Sequence, residues 1–164
     1  MTTTTTSATT APQRRPLDFK SFDAVAADVD ALASARYSRC GTWDLAHCCD
    51  HLAKTIDRTL DNHPVPIPLF FRMLSPIMGP LVLKRILKKR AMSAGFKAPA
   101  PFAPDQNCST DQAVARLKAA LERAEAVAGE MPRHPFFGRM IAQQWQDLML
   151  VHCAHHLSFL VPVG

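Results

Sequence analysis

Apolar residues in this chain recur every three or four positions over long stretches, and runs of strict apolar–polar alternation are nearly absent. That periodicity confines the chain to helices that each bury one face, so the predicted class is all-α. A first helix is expected over about 22–35, with Ser21 as N-cap and Phe22, Val25, Val29 and Leu32 on one face. A second is expected from an N-cap at Thr42 to about 61, aligning Leu45, Cys49, Leu52, Ile56 and Leu60. It stops before Asn62-His63-Pro64-Val65-Pro66-Ile67-Pro68, because proline lacks the backbone donor that a helix interior needs. Ser109 and Gln112 have the spacing of a capping box and open a third long helix reaching about 129. Its apolar positions are Val114, Leu117, Leu121, Ala124 and Val127. The segment from Met131 to Ile141 reads as a loop, and a last helix is expected over about 142–160, before Pro162.

The connection between the second and third long helices is of another kind. Residues 69–90 are apolar first (Leu69, Phe70, Met73, Leu74, Ile77) and basic afterwards, ending in Lys84-Arg85-Ile86-Leu87-Lys88-Lys89-Arg90. A membrane span needs roughly 20 uninterrupted apolar residues. Arg72, Pro76, Gly79 and Pro80 interrupt this one, so short broken helices are expected. Pro99, Pro101 and Pro104, with Gly95, predict a long loop over 91–108. The expected architecture is therefore a four-helix bundle with a long crossover connection between its second and third long helices.

At 164 residues, 48% of them apolar and 20% charged, the chain suits one domain with a real core, expected over 17–164. Residues 1–16 are rich in Thr and are expected to form a disordered tail. Gln13-Arg14-Arg15-Pro16-Leu17-Asp18-Phe19-Lys20 has the outline of a twin-arginine signal, yet Asp23, Asp28 and Asp30 interrupt the apolar stretch such a signal requires. The net charge of +5 is too small and too scattered to indicate nucleic acid, and one Tyr and two Trp offer no stacking platform. Five cysteines, Cys40, Cys48, Cys49, Cys108 and Cys153, are an odd number at irregular spacing. Reduced thiols and a cytoplasmic location are expected.

Five of the seven histidines fall on two predicted helices: His47 and His51 on the second, His152, His155 and His156 on the last. The last helix is apolar nearly all round, which marks it as central and makes each unpartnered imidazole on it costly. His152 and His156 are four apart and project from one face, the spacing that lets two imidazoles reach one metal. A core histidine satisfied by hydrogen bonds is the competing explanation, at about even weight for three histidines so closely placed. On the second helix His51 shares a stripe with Asp44, His47, Cys48, Thr55 and Arg58, offset by about 100° or more from the apolar face. Periodicity alone leans toward solvent exposure for that stripe. The alternative is a polar cavity facing the last helix, with Asp44 and Asp50 as partners that orient a histidine. Cys48 and Cys153 turn away from the neighbouring histidines and are expected to line the core rather than ligate.

Thr42-Trp43-Asp44-Leu45-Ala46-His47-Cys48-Cys49-Asp50-His51-Leu52 resembles the start of the second helix in the DinB-like helical bundles, where a Trp stands eight residues before a metal-ligating His followed by Leu. Trp145 through Leu157 resembles the last helix of the same superfamily, with its His-x-x-x-His pair, and the two motifs occur in the expected order. The resemblance implies a site of His51, His152 and His156 for one divalent transition metal (Zn, Ni or Fe), with His47 and His155 as alternates. Three imidazoles leave a coordination position open, as in catalytic sites. The superfamily includes the mycothiol-dependent maleylpyruvate isomerase and the bacillithiol transferases. A metal-dependent transferase or hydrolase is therefore implied, acting on a small-molecule substrate with a low-molecular-weight thiol as co-substrate. The alternative is a non-catalytic metal- or ligand-binding bundle acting in stress response or partner binding. In that reading residues 69–90 form a docking surface for a partner or an anionic membrane, or a homodimer contact through 69–83.

Overall fold

Ser21, Asp44 and Ser109 each aim a side-chain oxygen at a backbone N–H three residues on, and three helices start there. Ser21 accepts from Ala24 N at 3.2 Å, Asp44 from His47 N at 3.0 Å and Ser109 from Gln112 N at 3.3 Å. Such a cap contributes about 1 kcal/mol. The computed structural model describes residues 13–63, 69–95 and 98–163, without the side chains of 71 and 72. In chain order the described elements are α1 (Phe22–Ser34), β1 (Tyr37–Arg39), α2 (Leu45–Leu60), α3 (Leu69–Lys89), a 3-10 turn (Ala100–Phe102), α4 (Thr110–Glu125), α5 (Ala142–Leu157) and β2 (Leu160–Pro162). The fold is mostly helical, as the periodicity predicts, with a small sheet added.

The apolar faces read from the sequence enter one core. Val25, Val29 and Leu32 of α1, Leu45, Leu52 and Ile56 of α2, and Leu117 and Leu121 of α4 are all buried there. Each contributes about 1.5–3 kcal/mol by leaving water. Trp145, Leu148 and Leu157 of α5 join them, and α5 packs against α1, α2 and α3. Residues 1–12, most of the expected disordered tail, lie outside the described residues, as do Pro64, Pro66 and Pro68. Arg14 and Arg15 are described and docked: Arg15 N donates to Ser158 O at 2.9 Å, and its guanidinium forks onto Asp28 at 2.7 and 2.8 Å.

Several boundaries differ from expectation. The N-cap of α2 stands two residues after Thr42, because Asp44 captures both the backbone N–H and the ring of His47 and so makes the better cap. It ends before the prolines through its own chemistry. Asn62 takes a left-handed φ of 53°, His63 N reaches back to Arg58 O and Asn62 N to Thr59 O, a Schellman closure. The expected break in 69–90 does not occur: α3 runs unbroken for 21 residues through Pro76 and Pro80. α4 ends at Glu125 and α5 at Leu157, each a few residues earlier than periodicity suggests. Pro162 does not stop α5, since the chain has already left the helix to form β2. There Tyr37 pairs with Pro162, Ser38 with Val161 and Arg39 with Leu160, antiparallel. Strands of three residues are too short for alternation to register. The small sheet ties the end of α5 to the start of α2, and Leu45 N donates to the Tyr37 hydroxyl at 3.1 Å across the same junction.

α3 lies against the 131–141 loop through a glycine. A Cβ on Gly79 would stand 1.9 Å from Phe136 O, a distance no pair of atoms tolerates. Gly79→Ala is expected to lower stability by about 1–3 kcal/mol, as overpacking does, measurable as a lower denaturation midpoint with an unchanged m-value. The same loop is held by His134, whose Nδ1 accepts from Phe136 N at 3.1 Å and Phe137 N at 3.0 Å. Burial pushes the His134 pKa down to about 4. The folded protein therefore favours neutral His134, and its contribution is complete above about pH 6.5 and lost as pH falls toward 4. Unfolding free energy should drop by ~3 kcal/mol across that window from this group, and His134→Asn should flatten that part of the profile.

Candidate metal centre

His51 comes from the middle of α2, His152 and His156 from successive turns of α5. The structure brings these three rings together. His51 Nε2 lies 3.3 Å from His152 Nε2, and His152 Nε2 lies 2.9 Å from His156 Nε2. One ligand-capable nitrogen from each ring falls within 4.8 Å of the others, a group that could hold a metal ion. In a tetrahedral site with zinc–nitrogen bonds of about 2.0–2.1 Å the ligand nitrogens stand about 3.3 Å apart. The two spacings that involve His152, 2.9 and 3.3 Å, lie near that value, within an overall spread of 4.8 Å.

The tautomer of His51 follows from its neighbour. Its Nδ1 lies 2.7 Å from the Phe102 carbonyl oxygen, which can only accept, so Nδ1 carries the proton. Nε2 therefore keeps its lone pair and turns it toward His152, the arrangement by which a backbone carbonyl orients a metal-binding imidazole. The Phe102 turn is itself clamped to α2. Asp105 N donates to Asp50 Oδ2 at 2.8 Å, and Lys54 Nζ donates to Ala103 O at 3.0 Å. Asp50 is buried but fully engaged, with Lys54 at 2.6 Å and Arg116 at 3.0 Å. Burial alone would raise its pKa, and the hydrogen bonds from Lys54 and Asp105 N outweigh that and hold it below the usual carboxylate range.

Trp43 closes one side of the cluster. Its ring stacks on His156 at 5.2 Å, 20° from parallel, and leans on His51 at 4.9 Å. His51 is only 5% exposed, so the stripe on α2 that periodicity assigns to solvent is covered instead, by Trp43 and the Phe102 turn. Burial, and then the repulsion of neighbouring imidazoles, keeps His152 and His156 far below the ordinary histidine range. Burial also lowers the His51 pKa, against the opposing pull of the Phe102 hydrogen bond. All three rings are neutral at physiological pH, the form that ligates.

The two alternates lie outside the group of three nitrogens, although the His155 ring meets His156 edge-on at 4.9 Å. His47 Nδ1 sits 2.6 Å from Asp44 Oδ1, so this pair belongs to the cap of α2. His155 faces Arg14, whose Nη2 is 3.3 Å from His155 Nδ1, and its ring meets Phe159 edge-on. Neither Asp44 nor Asp50 orients a cluster histidine. The Phe102 carbonyl does, and a backbone atom on a 3-10 turn leaves no trace in the sequence. Cys48 and Cys153 are buried, and burial pushes both thiols up to about 12, with Cys49 higher still. They line the core as protonated thiols, and all five cysteines are free. Beside His156 opens a cavity of about 520 Å³ lined by Trp43, Pro104, Gln106, His155 and Phe159 among others.

Fold and site together define a mostly helical protein whose three-histidine cluster could hold a metal ion. The chain belongs to the family described as "Protein of unknown function (DUF1569)", whose model matches residues 11–163. No curated protein and no solved structure matches the chain.

Proposed function

We propose that this chain is a DinB-like four-helix bundle, built from α1, α2, α4 and α5, that binds one divalent metal through His51, His152 and His156. In this reading it is a metal-dependent transferase or hydrolase for a small-molecule substrate, with a low-molecular-weight thiol as co-substrate. The observation that carries the reading is the convergence of three Nε2 atoms from two helices at 2.9 and 3.3 Å, one of them with its tautomer set by the Phe102 carbonyl. A buried polar cluster without a function to serve is costly to keep. Imidazole donors alone suit zinc, nickel or iron.

A metal held by His51, His152 and His156 would supply Lewis acidity to a substrate oxygen or sulfur. The chain's own residues hold that site. Phe102 and the Asp50 clamp fix the His51 ring, and Trp43 packs against the rings of His51 and His156. The adjoining cavity is within the size range of small-molecule sites, with apolar walls from Trp43, Pro104 and Phe159 and polar atoms from Gln106 and His155. Five free cysteines suit a reducing compartment such as the cytoplasm.

The test is turnover by the metal-loaded protein supplied with glutathione, mycothiol or bacillithiol and electrophilic or ester probes. Thiol consumption or ester cleavage that stops with a chelator, and is absent in His152→Ala, is the expected result. Metal held at full occupancy with no turnover of any probe would replace the enzyme by the non-catalytic binding bundle.

A further inference from the structure

The first four turns of α3 are unusual for a helix facing water. Leu69, Phe70, Met73 and Ile77 are each about 70% exposed, Leu81 is 60% exposed and Met78 44%. At about 100° per residue these positions cover roughly half of the helix circumference. The opposite side, through Ser75, Gly79, Leu83 and Ile86, is the side turned to the rest of the protein. Gly79 brings the helix against the Phe136 backbone and so fixes which side faces out. Apolar surface of this extent on a chain marks an interaction surface rather than ordinary exposure.

Charge says what the surface meets. Along the same outward side, the last two turns of α3 carry Lys84, Arg85, Lys88 and Lys89, all exposed. Lys84 and Lys88 also wall a groove of about 810 Å³ shared with the 131–141 loop, where Arg133 and Arg139 join them. From Asn62 to Pro104 the sequence contains no Asp or Glu. One continuous face is therefore apolar at one end and strongly cationic at the other, with no acidic residue in that stretch of sequence to neutralise it. No helix among the described residues is long and apolar enough to cross a membrane.

We infer that α3 docks the protein on an anionic lipid bilayer. Its apolar first turns enter the boundary between headgroups and acyl chains, and Lys84, Lys88, Arg133 and Arg139 meet lipid phosphates. A basic face next to exposed apolar side chains is the combination that binds such interfaces, through apolar burial plus attraction to anionic headgroups. A second copy of this chain fits the face less well. Two copies would bury the apolar turns but bring no carboxylate from this region to the basic turns. The docking is independent of the metal centre, whose ligands lie on α2 and α5.

The experiment is co-sedimentation of the full chain with phosphatidylcholine vesicles, with and without phosphatidylglycerol, at low and high salt. Three proteins are compared: wild type, Ile77→Asp, and the double variant Lys84→Glu/Lys88→Glu. Both variants change exposed side chains, and far-UV circular dichroism confirms that they fold. Wild type should pellet with anionic vesicles only, and less at high salt. Ile77→Asp should stay in the supernatant, and the charge-reversed variant should bind about tenfold more weakly or worse. Three results would overturn the inference: no pelleting with anionic vesicles at low salt, equal pelleting with both vesicle types, or equal binding by all three proteins. A concentration-dependent dimer in sedimentation velocity that Ile77→Asp abolishes, without vesicle binding, would also overturn it and give the face to a second copy.

Discussion

His152→Ala should bind cobalt(II), added as a spectroscopic stand-in for the native metal, more than ~100-fold more weakly than wild type. The size of the effect follows from the position of His152 within the cluster. Its Nε2 is the atom that both other rings approach, at 3.3 Å from His51 and 2.9 Å from His156. Losing it leaves two imidazoles, His51 and His156, one from each helix, to hold the ion. Loss of a mere orienting partner typically costs 10–100-fold in affinity, so loss of a ligand should cost more. His47→Ala is the matched control, because His47 is held by Asp44 and is not one of the three grouped histidines. It should titrate like wild type. Equal affinities for wild type and His152→Ala would remove His152 from the site.

Trp145→Ala should produce the largest loss of stability of any single core truncation, about 3–5 kcal/mol. Trp145 is wholly buried at the centre of the core, two turns before His152 on α5. In a chain of this size that loss lowers Tm by roughly 10 °C or more. Trp145→Phe separates packing from polarity. The indole Nε1–H is buried with no hydrogen-bond partner among the described residues, so phenylalanine removes an unsatisfied donor as well as some volume. Its cost should be well under half that of alanine. Thermal unfolding of the three proteins side by side gives both differences. A Tm for Trp145→Ala within 2–3 °C of wild type would mean that α5 is not the central helix described here.

The helices were legible where burial follows one-sided periodicity. Phe22, Val25, Val29 and Leu32 were readable as the buried face of α1, and Ser21 and Ser109 as caps, because both signals are local. The departures have non-local causes. Pro76 and Pro80 mark a break by local rules, yet α3 continues through them. β1 and β2 lie more than a hundred residues apart and are three residues long, so only tertiary pairing defines them. His51 shows best how far a helical wheel can go. The wheel set it apart from the apolar face of α2 and so toward solvent. Trp43 and the Phe102 turn, from outside the helix, then covered it. The i, i+4 spacing of His152 and His156 on an apolar helix was a local signal that two rings share one face and could be read directly. The third ring was reachable from the sequence as the less favoured of two wheel readings, which the Trp43–His51 resemblance reinforced, and the carbonyl that orients it was not reachable at all.

The central claim is that His51, His152 and His156 form one metal site. Its most direct test is elemental analysis by inductively coupled plasma mass spectrometry of protein purified without an immobilised-metal column, wild type beside His51→Ala and His152→Ala. Close to one equivalent of zinc, nickel or iron in wild type, lost in both variants, is the predicted result. Wild type that retains no metal even after reconstitution, or variants that keep the full equivalent, would contradict the account.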